Sequence, residues 1–229
     1  MNKDWSEKNK KMQTLIGREA TLAEGMNVLI DLRNDLFTQV SYIVNSYPEE
    51  AYYQMPFAGA DGYHSKTLAY SMWHIFRIED IVAHTLIKGD EQVLLTDDWQ
   101  KKIGSPIITT GNELVGEKII DFSKKLDVKA LFEYCKAVMD STNELLLCLS
   151  YKDLKRRFSE IDKNRVLDSK CVSSDENAAW LVEYWCGKDI RGLIKMPFSR
   201  HWIMHIEAMC RIKDKLCQMA GKGSTRTMM

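Results

Sequence analysis

Apolar positions recur along this chain at steps of three, four and seven, the spacing that lines one face of an α-helix. Between 12 and 45 they are Leu15, Ile16, Leu22, Met26, Leu29, Ile30, Leu36, Phe37, Val40 and Val44, which predicts one long helix ended by Pro48. A second helix is predicted over 65–88, with Leu68, Met72, Trp73, Phe76 and Ile81 as its stripe and Gly89 at the C-terminal cap. Gly104, Pro106 and Gly111 mark a long loop over 96–112, and a short helix follows over 113–125. Asp127 can cap a further helix ending near Ser150, with Leu131, Cys135, Val138, Thr142, Leu145 and Leu149 on its apolar side. The charged stretch 151–172 carries no clear period. Asp175 or Ser174 can start a short helix that Gly187 stops. The last helix follows Pro197, with Ser199 as a nearby cap, and runs to about Ala220.

Strand-like alternation is scarce and no repeat is visible. The expected fold class is therefore all-α: a four-helix bundle whose longer connectors allow crossover connections and carry short extra helices. Residues 1–10 are expected to form a flexible N-terminus, 11–220 a single helical domain and 221–229 a disordered tail.

Composition narrows the function classes. The 229 residues hold 32 Lys+Arg against 32 Asp+Glu, a formal net charge of zero. That balance argues against a nucleic-acid binder, which needs a basic excess to neutralise phosphates, and against a polybasic membrane clamp. No run of about 18 apolar residues is present, so no membrane-spanning helix is expected. The opening MNKDWSEKNKK is too polar for a signal peptide, and a cytoplasmic location is expected. Cys135, Cys148, Cys171, Cys186, Cys210 and Cys217 form no CxxC pair and are expected to be reduced and mostly buried. Cys210 and Cys217, seven apart, share a helical face and are expected to pack in the core. Nucleotide-binding glycine motifs and the GxSxG elbow are absent.

Candidate chemistry lies in the histidines. His201 and His205 stand four apart on the last predicted helix, about 40° apart around its axis, so both imidazoles can address one ion. A third ligand could come from His74, inside an apolar stretch of the second helix. Spacing alone leaves open whether these are metal ligands or hydrogen-bonded core histidines. Glu207 lies about 200° round from His205, so a salt bridge, an interface contact or a supporting role suits it better than ligation. Arg77 nearly shares the face of His74 and could bind an anionic substrate or pair with nearby carboxylates. Tyr70, four before His74, could line a pocket or fill the core. His64 and His84 read as surface or loop residues. Glu79, Asp80 and Glu207 are the candidate general bases.

Two segments, WHIFRIED at 73–80 and MPFSRHWIMH at 196–205, resemble the DinB/YfiT-like superfamily of metal-dependent enzymes. The order agrees as well: one histidine in the second helix, then a pair spaced by three residues near the C-terminus. The resemblance implies a four-helix bundle with crossovers, often homodimeric. It implies a divalent ion between helices (nickel, zinc or iron, depending on the member) held by His74, His201 and His205. The run from His201 to Glu207 is also similar to the HxxxHxE segment of iron-dependent ergothioneine-forming enzymes. Those need a second, larger catalytic domain, so that activity is not expected here.

The function implied is metal-dependent catalysis on a small molecule. An activated water would make the protein a hydrolase; a bound low-molecular-weight thiol would make it a thiol transferase. The alternative is a non-catalytic bundle that binds a small ligand, with a structural ion or none.

Overall fold

Polar residues dominate positions 2–11, yet Asn2 caps a helix there. Its side chain accepts from the N–H groups of Asp4 and Trp5. This helix, α1 (Lys3–Leu15), turns Trp5 and Met12 to one buried face. The computed structural model describes residues 2–60 and 62–224, with side chains as far as 219. α1 stands where a flexible arm over 1–10 was expected, because a few apolar residues at helical spacing suffice to dock it.

The single helix expected over 12–45 is also broken. A 3₁₀ turn at Glu19–Thr21 reverses the chain, and α2 (Leu22–Ser46) packs back along α1. Apolar spacing continues across the break, so periodicity alone does not reveal it. Gly25 lets the two helices close, since a Cβ there would stand 2.8 Å from Ile16 Cγ2.

The Thr67 hydroxyl accepts from Tyr70 N–H and opens α3 (Leu68–Asp80), every residue of which is buried. The helix widens into π turns over Ile81–Lys88 and stops at Gly89, whose φ of 74° is the left-handed cap the sequence predicts. α4 (Trp99–Ile103) and α5 (Glu117–Ser123) lie in the long connector. Asp127 caps α6 (Val128–Cys148) as expected. In the stretch without period, Ser159 and Asp162 form a capping box for α7 (Glu160–Asp168). α8 (Glu176–Cys186) starts at Asp175 as expected.

An unexpected short helix follows, α9 (Ile190–Lys195), and a π segment over Met196–Arg200 joins it to α10 (His201–Ser224). Ser199 is no cap; its hydroxyl donates to the Ile194 carbonyl at 2.7 Å inside the π turn. Of the tail expected over 221–229, residues 221–224 continue the helical backbone and the rest lie outside the described residues.

The fold is all-helical, with no β-strand among the described residues. α2 packs on α6 and α10, and α3 packs on the same two helices. One apolar cluster holds Leu36, Phe76, Tyr134 and Trp202, and a second holds Met12, Leu86, Trp185 and Phe198. Arg33, wholly buried on α2, ties the helices together. It donates to both Glu79 oxygens (2.7 and 2.9 Å), to Asn143 Oδ1 and to the Phe198 carbonyl, and lies 4.4 Å over the Trp202 ring.

No helix among the described residues is long and apolar enough to cross a membrane. All six cysteines are free, but only Cys135 and Cys171 are buried. Cys217 is exposed with its sulfur against the Tyr47 hydroxyl, so the expected core packing of that face does not extend to it.

Candidate metal centre

α3 positions His74 through a strap of backbone. Four consecutive carbonyls of the connector accept from side chains on one stripe of the helix. Ile108 takes both Nε and Nη2 of Arg77, Thr109 takes Trp73 Nε1, Thr110 takes His74 Nδ1 at 3.0 Å, and Gly111 takes the Tyr70 hydroxyl. Gly111 has φ 78°, and a Cβ there would press within 3.1 Å of the Tyr70 ring. A carbonyl can only accept, so the His74 proton sits on Nδ1 and the Nε2 lone pair faces inward.

That lone pair points at α10. His74 Nε2 lies 3.3 Å from His201 Nε2, and ligand atoms of His74, His201 and His205 all lie within 4.8 Å of one another. The i, i+4 pair projects from the first turns of α10, directly after the π segment. Metal–nitrogen bonds of about 2.1 Å in a tetrahedron separate nitrogens by about 3.4 Å, so one pair already has ligand spacing. Among the described residues no fourth His, Cys, Asp or Glu joins the group.

Electrostatics keep the three imidazoles neutral. Burial lowers the pKa of His74 to about 4, with the Thr110 hydrogen bond opposing and the Lys66 charge adding to the shift. Burial, and then the neighbouring imidazoles, hold His201 and His205 well below the usual histidine range. His201 Nδ1 and His205 Nδ1 are buried without a partner. Neutral nitrogens facing one another at 3.3 Å, with orphaned atoms beside them, are the chemistry of a donor set suited to a cation.

Neither comparison names a family. No protein-family model matches the chain, and no curated protein matches it.

The triad opens onto a cavity of about 230 Å³. Its walls come from Tyr63, Ile78 and Asn112, from Trp180, Leu181, Tyr184 and Trp185 of α8, and from Met196 and Pro197 of the π segment. Tyr63 meets the His205 ring edge-on at 4.7 Å. None of these wall residues was expected as part of the site. The aromatic spacing of Trp180 and Tyr184 on α8 was the available signal, but which cavity they face is a tertiary fact.

The other expected site residues fall elsewhere. Tyr70 stacks on His74 at 5.6 Å and braces it, with its hydroxyl spent on Gly111. Arg77 is fully buried and structural: it donates to Asp80 at 2.8 Å, to Gln92 and to the Tyr134 hydroxyl. Glu207 accepts from the Asn2 backbone N–H and lines a separate cavity with Trp5 and Arg211. The candidate bases Glu79 and Asp80 are also committed, the first to Arg33, the second to Arg77, Tyr134 and the N–H groups of Val93 and Leu94.

His84 is not a surface residue. It is buried in the π turns with Nδ1 2.8 Å from Asp90 Oδ1 and Nε2 3.1 Å from Ser141 Oγ. This chain has the order of a nucleophile relay, but Ser141 lies within α6, whose backbone N–H groups are spent along the helix. The helix thus offers no oxyanion donor, and the contact fastens the π turns to α6.

Proposed function

We propose that the chain is a metal-dependent enzyme of the DinB/YfiT-like kind. In this reading α2, α3, α6 and α10 form a four-helix bundle with crossover connections. His74, His201 and His205 hold a divalent ion, with nickel, zinc and iron as its candidates. One observation carries the proposal: three buried, neutral imidazoles from two helices converge beside a cavity large enough for a small molecule.

When bound, the ion supplies Lewis acidity and eases loss of a proton from water or a thiol at neutral pH. Three protein ligands leave a position for that nucleophile or for substrate, whereas a structural site is closed by four. The chain's own residues do the positioning. Thr110 fixes the His74 tautomer and ring plane, Tyr70 stacks behind it, and the apolar walls exclude water. Glu79 and Asp80 are consumed in ion pairs, and among the described residues no carboxylate base is poised at the cavity. That favours a thiol, whose ordinary pKa of about 8.5 needs less help than water, and so favours thiol transfer to an electrophile over hydrolysis.

Elemental analysis of untagged protein tests the reading. One equivalent of a divalent ion is expected in the wild type and loss of tight binding in His205→Ala. Retention of a stoichiometric ion by that variant overturns it. Assays with thiols plus electrophiles, and with esters and amides, then separate the two reactions; inertness in all of them points to the non-catalytic binding bundle.

A further inference from the structure

Resting on the metal-site reading above, we infer that the substrate is a small molecule joining an uncharged, flat apolar group, such as an aromatic ring, to an oxygen-bearing head. The flat group lies against α8, and the head sits between the imidazoles and Asn112.

The walls opposite the triad set the apolar part. Trp185 is buried in the core and forms the fixed floor. Trp180 stands at the rim, 50% exposed, yet its ring is held in place. Its Nε1 donates to the Asn177 carbonyl at 3.0 Å, and Tyr184 meets it edge-on at 5.6 Å. A fixed tryptophan face left in water is a surface that a flat ligand removes from solvent. Among the described residues no Lys, Arg, Asp or Glu lines the cavity, so none of them compensates a charge on this part of the ligand.

Volume sets the size. An apolar cavity of about 150 Å³ holds benzene. The 230 Å³ here fits a ring and a head group of a few atoms.

Asn112 sets the head. Thr110 Oγ1 accepts from the Asn112 backbone N–H at 3.4 Å and donates to Asn112 Oδ1 at 2.8 Å. With Oδ1 so engaged, Asn112 lines the cavity with its Nδ2 a donor that has no partner among the described residues. The same Thr110 orients His74 through its carbonyl, so one residue sets both the ligand nitrogen and the amide.

Calorimetric titration of the full-length, zinc-loaded protein with benzohydroxamate and acetohydroxamate tests the inference. The two share a metal-binding head and differ in the phenyl ring. The phenyl compound is expected to bind about tenfold or more tightly. Trp180→Ala and Tyr184→Ala should erase that advantage and leave acetohydroxamate unchanged, while Asn112→Ala should weaken both compounds. Equal affinities in the wild type overturn the inference and leave the metal reading standing. Failure to take up zinc sinks the metal reading instead. Saturation-transfer NMR of metal-free protein with benzyl alcohol then decides the wall separately. Transfer that Trp180→Ala abolishes supports it; no transfer in the wild type overturns it.

Discussion

Acidification of the metal-free protein probes the triad without any assumption about substrate. His74 has a folded pKa of about 4, against about 6.5 in an unfolded chain. Between those values the unfolded state binds more protons, so stability is complete above pH 6.5 and is lost as pH falls toward 4. From pH 7.5 to pH 5, the two proton-binding curves differ by about 2 kcal/mol for His74 alone. His201 and His205, shifted in the same direction, add to the loss. Asp90, Asp153 and Asp162 have lowered pKa values, so their contribution is lost only near and below pH 4. The window from 6.5 to 5 therefore reports histidines. With a urea m-value of about 2–3 kcal/mol/M, 2 kcal/mol moves the midpoint down by ~0.7–1 M. The assay is urea unfolding with chelator present at pH 7.5, 6.5, 5.5 and 5.0, for wild type and for His74→Gln, where the slope should flatten. A midpoint that stays level from 7.5 to 5 refutes the buried, neutral triad.

Three other perturbations test the frame that carries it. Trp5→Ala should cost about 3 kcal/mol in urea unfolding and open the first helix to limited proteolysis; unchanged stability and cleavage would mean α1 is not docked. Arg33→Met leaves Glu79 buried without its cation and should cost about 3–5 kcal/mol, most of it recovered in Arg33→Met/Glu79→Leu. A double variant no better than the single would show that the pair does more than satisfy itself. Gly89→Ala forces a side chain into φ 74° and should cost about 1 kcal/mol in thermal unfolding, with Gly89→Asn milder; equal stability of Ala and Gly would remove the left-handed cap.

The metal-ligand candidates were legible because their signal is local. His201 and His205 share a helical face by spacing, and His74 interrupts an apolar stripe. Caps such as Asp127, Asp175 and Gly89 are legible for the same reason. The strap was not. Ile108, Thr109, Thr110 and Gly111 act through backbone carbonyls, which every residue has, so nothing in their side chains announces that they receive Arg77, Trp73, His74 and Tyr70. The α1–α2 break stayed hidden because apolar spacing runs through it. Arg77 read as either a substrate contact or a partner of nearby carboxylates; Asp80, three residues on, answers to the second, while Gln92, Tyr134 and the Ile108 carbonyl come from farther along the chain. The aromatic wall of α8 shows the same limit: spacing put Trp180 and Tyr184 together, but only tertiary packing turns them toward the histidines.

Charge is distributed in a way that suits a cation held by neutral ligands. The buried arginines are each matched by a carboxylate on α3, Arg33 by Glu79 and Arg77 by Asp80, so these groups stand close to neutrality as pairs. Lys66, 5.0 Å over the Tyr70 ring, is near enough to depress proton binding at His74 and His205. No carboxylate among the described residues completes the triad, so a divalent ion there would keep its full double charge. Bound ions are often the largest local charge in a site and set its proton chemistry. A site assembled this way gives up affinity that a carboxylate ligand would add. In the proposed function that surplus positive charge would act on whatever occupies the open position, and would ease loss of a proton from a nucleophile that no side chain among the described residues is placed to deprotonate.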